Sequence, residues 1–246
     1  VEIEIGVGRK ERLVLLPQLA AWLPARRMVL AADLHLGKAE VLRGKGAAVP
    51  RRVLMGLMEE TLGRLSDAVA VVEGFGGGGG VERIVIVGDL IHAPCGVTED
   101  VKECWEGWIR VQKHAGRRVV CVRGNHDREL ERLCGEDVEV VERIEEDGAV
   151  LTHDPREVVE GRMVIGGHLH PAFVVGGGRS RMKLPAFVAG RERVVLPAFT
   201  RFATGMTIEV REGERVFVVG AGEVIGVELK VESLKGKEIG KSRYQI

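Results

Sequence analysis

Apolar residues along this chain fall into two kinds of run. Val29 to Ala32, Ile84 to Val87, Val119 to Val122 and Met163 to Ile165 are short, unbroken and end at or near Gly or Asp, and they read as buried strands. Others recur every three or four residues. From Pro50 to Leu65, the residues Leu54, Leu57, Met58, Thr61, Leu62 and Leu65 share one helical face, and Pro50 suits the first turn. Thr98 is placed to cap a second helix, with Glu99 and Asp100 in its first turn, Lys113 and His114 in its last, and Gly116 as the stop. Val101, Cys104, Trp105, Trp108 and Ile109 form its apolar face, which reads as core rather than as a base-stacking site.

Val1 to Val7 is charged and strand-like. After Val164 short strand-like runs dominate, at Phe173 to Val175, Val194 to Leu196, Thr207 to Val210 and Val216 to Val219. The first half is therefore β/α and the second mainly β. Gly76 to Gly80 reads as a flexible connector, and without a Gly-Lys-Ser/Thr ending it is no phosphate loop. The expected organisation is one domain over residues 1–225, then a Lys- and Glu-rich tail over 226–246, partly disordered with one strand at Val227 to Val231.

Composition narrows this picture little. The 246 residues carry 36 Lys plus Arg and 36 Asp plus Glu, so no bulk charge points to nucleic acid or membrane, although a balanced total hides local patches. No apolar run is long enough to cross a bilayer, and no signal peptide is visible; read as starting at its natural start, the chain is expected in the cytoplasm. Cys95, Cys104, Cys121 and Cys134 lack metal-ligand spacing and read as reduced, structural thiols, with Cys95 nearest the motifs below.

Five motifs change the picture. Asp33-Leu34-His35, Gly88-Asp89, Gly124-Asn125-His126-Asp127, His153-Asp154 and Gly167-His168-Leu169-His170 occur in this order, nearly all directly after a predicted strand. Ligand sites of open α/β sheets gather beyond the carboxyl ends of strands, so separate motifs are expected to converge. In Asp33-x-His35 and His168-x-His170 the paired side chains would point the same way from extended backbone. Glycines before Asp89, Asn125 and His168 permit sharp turns and close approach. Asp89 has two oxygens with which to bridge two cations. Carboxylate, amide oxygen and imidazole without thiolate suit Mn, Fe, Zn or Co better than Ca or Mg. Any one motif alone reads as a turn or a core histidine. Their order, and five of the seven histidines inside them, weigh against coincidence.

The ordered set resembles the calcineurin-like metallophosphoesterase superfamily. Ala32 to Ala39, Arg43, Gly46, Pro50, Gly88 to Ala93, Arg123 to Arg128, Gly166 to Pro171 and Leu196 to Phe199 resemble one branch, the bacterial ligase-associated DNA-damage-response endonucleases, over roughly Ile3 to Val219. The sequence departs from that branch at Ala203-Thr204-Gly205, the glycine run and the tail beyond Ala221. The resemblance implies a four-layer αββα sandwich of two mixed sheets flanked by helices. It implies Asp33, His35 and His170 on one metal, Asn125, His153 and His168 on a second, Asp89 bridging, and two divalent transition ions, manganese foremost. A hydroxide shared by the ions would attack phosphorus in line. His126 would act as general acid or as a cation on the leaving oxygen.

Asp127 is a candidate to orient His126, with a helix-N-terminal role equally open. Lys38, Arg43, Arg123 and His92 are candidate phosphate contacts, each with an ordinary surface, salt-bridge or loop role beside it. The run Arg179-Ser180-Arg181-Met182-Lys183 has the charge to grip a nucleic-acid backbone, or is simply solvated. The implied activity is a phosphodiesterase or endonuclease acting on DNA or nucleotides and linked to DNA repair proteins. The alternatives are a small-molecule phosphodiesterase or phosphomonoesterase, and a non-catalytic scaffold on the same fold. Neither the substrate within the diester class nor the oligomeric state is legible.

Overall fold

The computed structural model describes residues 1–7, 10–75, 79–176, 181–201, 203, 205–228, 230–231 and 244–245. A seven-stranded sheet uses the first half in chain order: β1 (Glu2–Ile5), β2 (Glu11–Leu15), β3 (Ala21–Leu23), β4 (Met28–Ala31), β5 (Arg83–Val87), β6 (Arg118–Val122) and β7 (Glu139–Val141). The strands from β1 to β4 pair antiparallel, and those from β4 to β7 pair parallel. Parallel neighbours need long crossovers, and helices supply them. α1 (Lys38–Gly44) and α2 (Arg51–Gly74) lie between β4 and β5, α3 (Glu99–His114) between β5 and β6, and α4 (Glu131–Cys134) between β6 and β7.

α2 runs well past the expected end at Leu65. Ala68, Val69 and Val72 continue its buried face beyond Leu54, Met58, Leu62 and Leu65. Just past Leu65, Ser66 Oγ donates to the Leu62 carbonyl and receives the Trp108 indole N–H of α3 at 2.9 Å. α3 begins as expected: the Thr98 side chain accepts from Val101 N, and Val101, Trp105, Trp108 and Ile109 are buried.

The second sheet has the order β15-β14-β12-β13-β10-β9-β8, with β11 paired on β12. Its strands are β8 (Ile144–Glu146), β9 (Ala149–Leu151), β10 (Met163–Gly166), β11 (Ala172–Val175), β12 (Met182–Ala189), β13 (Arg193–Val195), β14 (Arg215–Gly220) and β15 (Glu223–Val227). Here β9, β10 and β13 run parallel. Period-two alternation sorts its side chains cleanly. Phe187, Ala189, Val194, Leu196, Phe217 and Val219 join the large core against the first sheet, whereas Ala186, Val188, Val195, Val216 and Val218 form an outer cluster with Phe173.

The chain is thus a two-sheet α/β sandwich with flanking helices, all of them before residue 135 among the described residues. The outer face of the second sheet is covered by β11 and by the segment around Ile208 and Val210. That segment, Thr207 to Val210, is not the strand its sequence suggests: it lies outside the named strands and packs two apolar side chains as a strap. β15 ends at Val227, and a two-residue pair, β16 (Lys230–Val231) with β17 (Tyr244–Gln245), takes the place of a strand at Val227 to Val231. Gly76 to Gly78, Arg179 and Ser180 lie outside the described residues. No helix among the described residues is long and apolar enough to cross a membrane.

The sheets meet beyond their parallel strands. Leu196, just after β13, donates its N–H to Gly166 O at 2.8 Å; Phe199 N reaches Ala32 O at 2.8 Å and Thr200 N reaches Asp33 O at 3.2 Å. This seam joins the carboxyl end of β4 to that of β13 through an Ala32–Ala198 bridge. The motif loops open around it.

Candidate metal centre

Asp33 and His35 follow β4, Asp89 follows β5, Asn125 and His126 follow β6, His153 follows β9, and His168 and His170 follow β10. The first two loops are stitched together by backbone bonds from Asp33 N to Gly88 O (3.0 Å), His35 N to Asp89 O (2.9 Å) and Leu36 N to Leu90 O (2.8 Å). The sequence suggests extended backbone at the Asp-x-His and His-x-His pairs. The structure instead holds Asp33, His35, Asp89, His168 and His170 in the left-handed region, with φ of 57°, 48°, 50°, 58° and 44°. Each such residue costs of order 1–3 kcal/mol, a strain that persists where surrounding structure over-determines it and that clusters at functional sites.

The preceding glycines are required by space. A Cβ at Gly88 would overlap the His153 ring, one at Gly124 the Asp89 carboxylate, and one at Gly167 the Asp33 carboxylate. Only Gly88 of the three has positive φ, +82°. Close approach, more than turning, is the reason for Gly124 and Gly167.

All seven residues expected as ligands come together. Asp33 Oδ1 lies 3.4 Å from His170 Nε2, which is 3.4 Å from His35 Nε2. Asp89 Oδ2 stands between the two groups, 3.8 Å from His35 Nε2 and 3.5 Å from His153 Nε2. His153 Nε2 is in turn 2.9 Å from Asn125 Oδ1 and 3.0 Å from His168 Nδ1. Asp33, His35 and His170, and likewise Asp33, Asp89 and His153, offer donor atoms all within 4.8 Å of one another.

These groups fit divalent ions. Two donors each ~2.1 Å from an ion at a tetrahedral angle stand ~3.4 Å apart, the spacing of Asp33 Oδ1 to His170 Nε2 and of His170 Nε2 to His35 Nε2. Asp33 is fully buried, yet its Oδ1 has no hydrogen-bond partner, while its Oδ2 accepts from His168 N at 2.9 Å. A buried unpartnered carboxylate oxygen is costly unless a cation satisfies it.

Burial sets the protonation. It is the main cause that pushes His35 down to about 2, helped by the neighbouring His170, His126 and Lys38, so the ring is neutral and its lone pair is available. Burial also lowers His153. Asp89 is pushed up to about 7, first by burial and then by the Asp33 charge, against the pull of the His126 N–H on its Oδ1 at 2.9 Å. Two carboxylates this close and this dry need a positive charge between them to be anionic together.

His126 is held at the open side. Its Nδ1 is 2.8 Å from the His92 carbonyl oxygen. A carbonyl only accepts, so Nδ1 carries the proton and Nε2 is the nitrogen left to exchange one. His92, one of the sequence candidates, belongs to this cluster: its ring stacks on His126 at 5.2 Å and stands edge-on to His35 at 5.4 Å. Lys38 lies close enough to lower both His35 and His92 and is itself lowered by burial. Arg43 is exposed on α1.

One expectation needs correction. Asp127 does not touch the His126 ring and does not cap α4, which starts at Glu131. Its buried carboxylate accepts from Ile91 N (2.9 Å) and Gly124 N (2.8 Å), clamping the β5 loop to the β6 loop. Arg123 takes the salt-bridge role that stood beside the phosphate one: it pairs with Glu131 and with Glu142 (3.0 Å) and donates to the Asp127 carbonyl. Cys95 is exposed in the turn Pro94–Gly96. Sequence reasoning missed Arg64, which sits over the Phe199 ring and donates to the Phe199 carbonyl beside the seam. Nothing in the sequence marks it, since a lone arginine on a helix reads as solvated.

Two mixed sheets, with carboxylates, an amide and imidazoles crowded at the ends of their parallel strands, define a metallophosphoesterase. The chain belongs to the calcineurin-like phosphoesterase family, whose pattern matches residues 26–186. Among solved structures it is similar to the nuclease MPE of Pseudomonas putida, with a TM-score of 0.70 and 30% identity over 92% of this chain and 100% of that one. No curated protein matches the chain.

Proposed function

We propose that this metallophosphoesterase is a phosphodiesterase acting on nucleic acid, working with two divalent transition ions, manganese foremost. The nuclease reading is carried by the similarity to a nuclease over that protein's full length. The link to DNA repair rests on the motifs shared with the ligase-associated branch.

In this reading Asp33, His35 and His170 hold one ion, Asn125, His153 and His168 the other, and Asp89 spans both. When bound, the ions would supply charge to polarise the phosphoryl oxygens and would acidify a water to serve as nucleophile. The protein's residues do the rest. Asp33 and Asp89 keep the two groups of imidazoles at fixed separation. The His92 carbonyl holds the His126 ring through Nδ1–H, which leaves Nε2 to exchange a proton with the leaving oxygen. Lys38 and His92 line the same open side and would face the phosphate.

A small-molecule esterase is the second reading, favoured by the low aromatic content: 4% of the chain is Phe, Trp or Tyr. The test strips metal, restores manganese, and compares bis-aryl with mono-aryl phosphate esters and nicked with supercoiled DNA. Hydrolysis of bis-aryl esters and nicking of supercoiled DNA are expected. Turnover of monoesters alone contradicts the proposal.

A further inference from the structure

A cleft of about 530 Å³ opens beside the metal centre, with His170 in the wall of both. Arg64, Lys183 and Arg201 line it, together with prolines, alanines and buried Thr200, and no carboxylate lines it among the described residues. Its cations are poorly neutralised. Lys183 donates to the Gly205 carbonyl at 2.7 Å, and Arg201 has an exposed pair with Glu60 at 2.7 Å, of the kind worth little. Arg64 is half-buried and makes no salt bridge among the described residues, with the Glu60 charge acting on it only at longer range: it donates to the Phe199 carbonyl, lies 4.4 Å over the Phe199 ring, and leaves a buried Nε without a hydrogen bond. Burial and then the charge of Arg201 weaken its hold on its proton.

Two guanidiniums beside each other, one largely desolvated, cost free energy that an anion would relieve. The floor of the cleft is the seam itself, since Phe199 N and Thr200 N bind the carbonyls of Ala32 and Asp33. An anion here would therefore be in fixed register with the metal centre.

We propose that this cleft binds the neighbouring phosphate and sugar of a nucleic-acid strand whose scissile phosphate lies at the metal centre, with Arg64 as the principal contact and Arg201 and Lys183 at the rim. The inference rests on the diesterase reading. Among the described residues no Phe, Tyr or Trp lines the walls, so the groups they offer contact sugar and backbone rather than read base edges.

The test uses the manganese-loaded full chain and reads the ratio of kcat/KM for hexathymidylate to kcat/KM for a bis-aryl phosphodiester, which has no neighbouring phosphate. Arg64→Gln is expected to lower the ratio at least ~10-fold, mainly through KM, because hydrogen bonds from a desolvated charged group are stronger than neutral ones. Lys183→Gln combined with Arg201→Gln, at exposed positions that spare the fold, is expected to lower it ~3–10-fold. A ratio within twofold of wild type in both variants overturns the proposal.

A second arm measures anisotropy of labelled hexathymidylate on the metal-loaded His126→Ala chain, so it stands even if no diester is hydrolysed. Adding the cleft substitutions should weaken binding and flatten the salt dependence by ~0.7 for each phosphate that is no longer neutralised. Unchanged binding overturns the proposal, as does displacement of the strand by inorganic phosphate at concentrations equal to unlabelled hexathymidylate, which would mark a free-anion site.

Discussion

The two sheets contribute differently to the centre. The loops of the first sheet bond to one another through backbone and through Asp127, and they carry both carboxylates, His126, His92 and Lys38. The loops of the second sheet bring only imidazole nitrogens. They are anchored by the His168 N to Asp33 Oδ2 bond and by the seam from β13 to β4. In the proposed reading, a braced half that carries the charge and proton chemistry faces a half that completes the coordination. Among the described residues Asp33 and Asp89 are the acidic side chains that reach imidazoles of both halves.

Asp89→Asn should break both halves at once. Both ions are expected to be lost, with activity down by more than ~10⁴-fold, beyond what a lone general acid contributes. Elemental analysis beside an ester assay reads it, and retained metal would contradict the bridging position. His126→Ala should separate the halves: metal content stays at wild-type level while turnover slows ~10²–10⁴-fold. Metal loss there would make His126 a ligand.

Asp127→Ala tests the brace without touching a ligand. Removing a buried carboxylate that accepts two backbone N–H groups should lower stability by about 2 kcal/mol and weaken metal binding ~10–100-fold. Wild-type denaturation and affinity would show that the clamp is idle. The smallest effect concerns protons. Asp89, raised by burial, is partly protonated near neutrality without metal, so metal binding should expel a fraction of a proton at pH 7. The sign for stability follows: between the unfolded value near 3.8 and about 7, the folded metal-free chain binds the extra proton, and its stability falls as pH rises through that window. Calorimetric heats of metal binding that do not vary with buffer ionisation enthalpy would refute the proton release.

Much of this was legible in the sequence. The four strands around the motifs were visible because parallel strands buried on both faces read as unbroken apolar runs. The motif residues were visible because glycine, histidine and aspartate crowd after them. Less was legible where tertiary contacts decide. α2 continues past Leu65, where Ser66 receives the Trp108 indole N–H of another helix, and Thr207 to Val210 lies as a strap because the neighbouring sheet face, not its own alternation, sets its role. The left-handed backbone at Asp33 and His35 leaves no sequence trace, since neither residue is a glycine. Asp127 read as a partner for His126 because it follows it in sequence, whereas its partners are the N–H groups of Ile91 and Gly124.

Anomalous scattering from crystals grown with manganese tests the central claim most directly. Two peaks are expected ~3.5–4 Å apart, the spacing of two-metal hydrolytic sites, with the Asp89 carboxylate between them. No peak, or a single peak among His35, His92 and His126 away from Asp33, would contradict it.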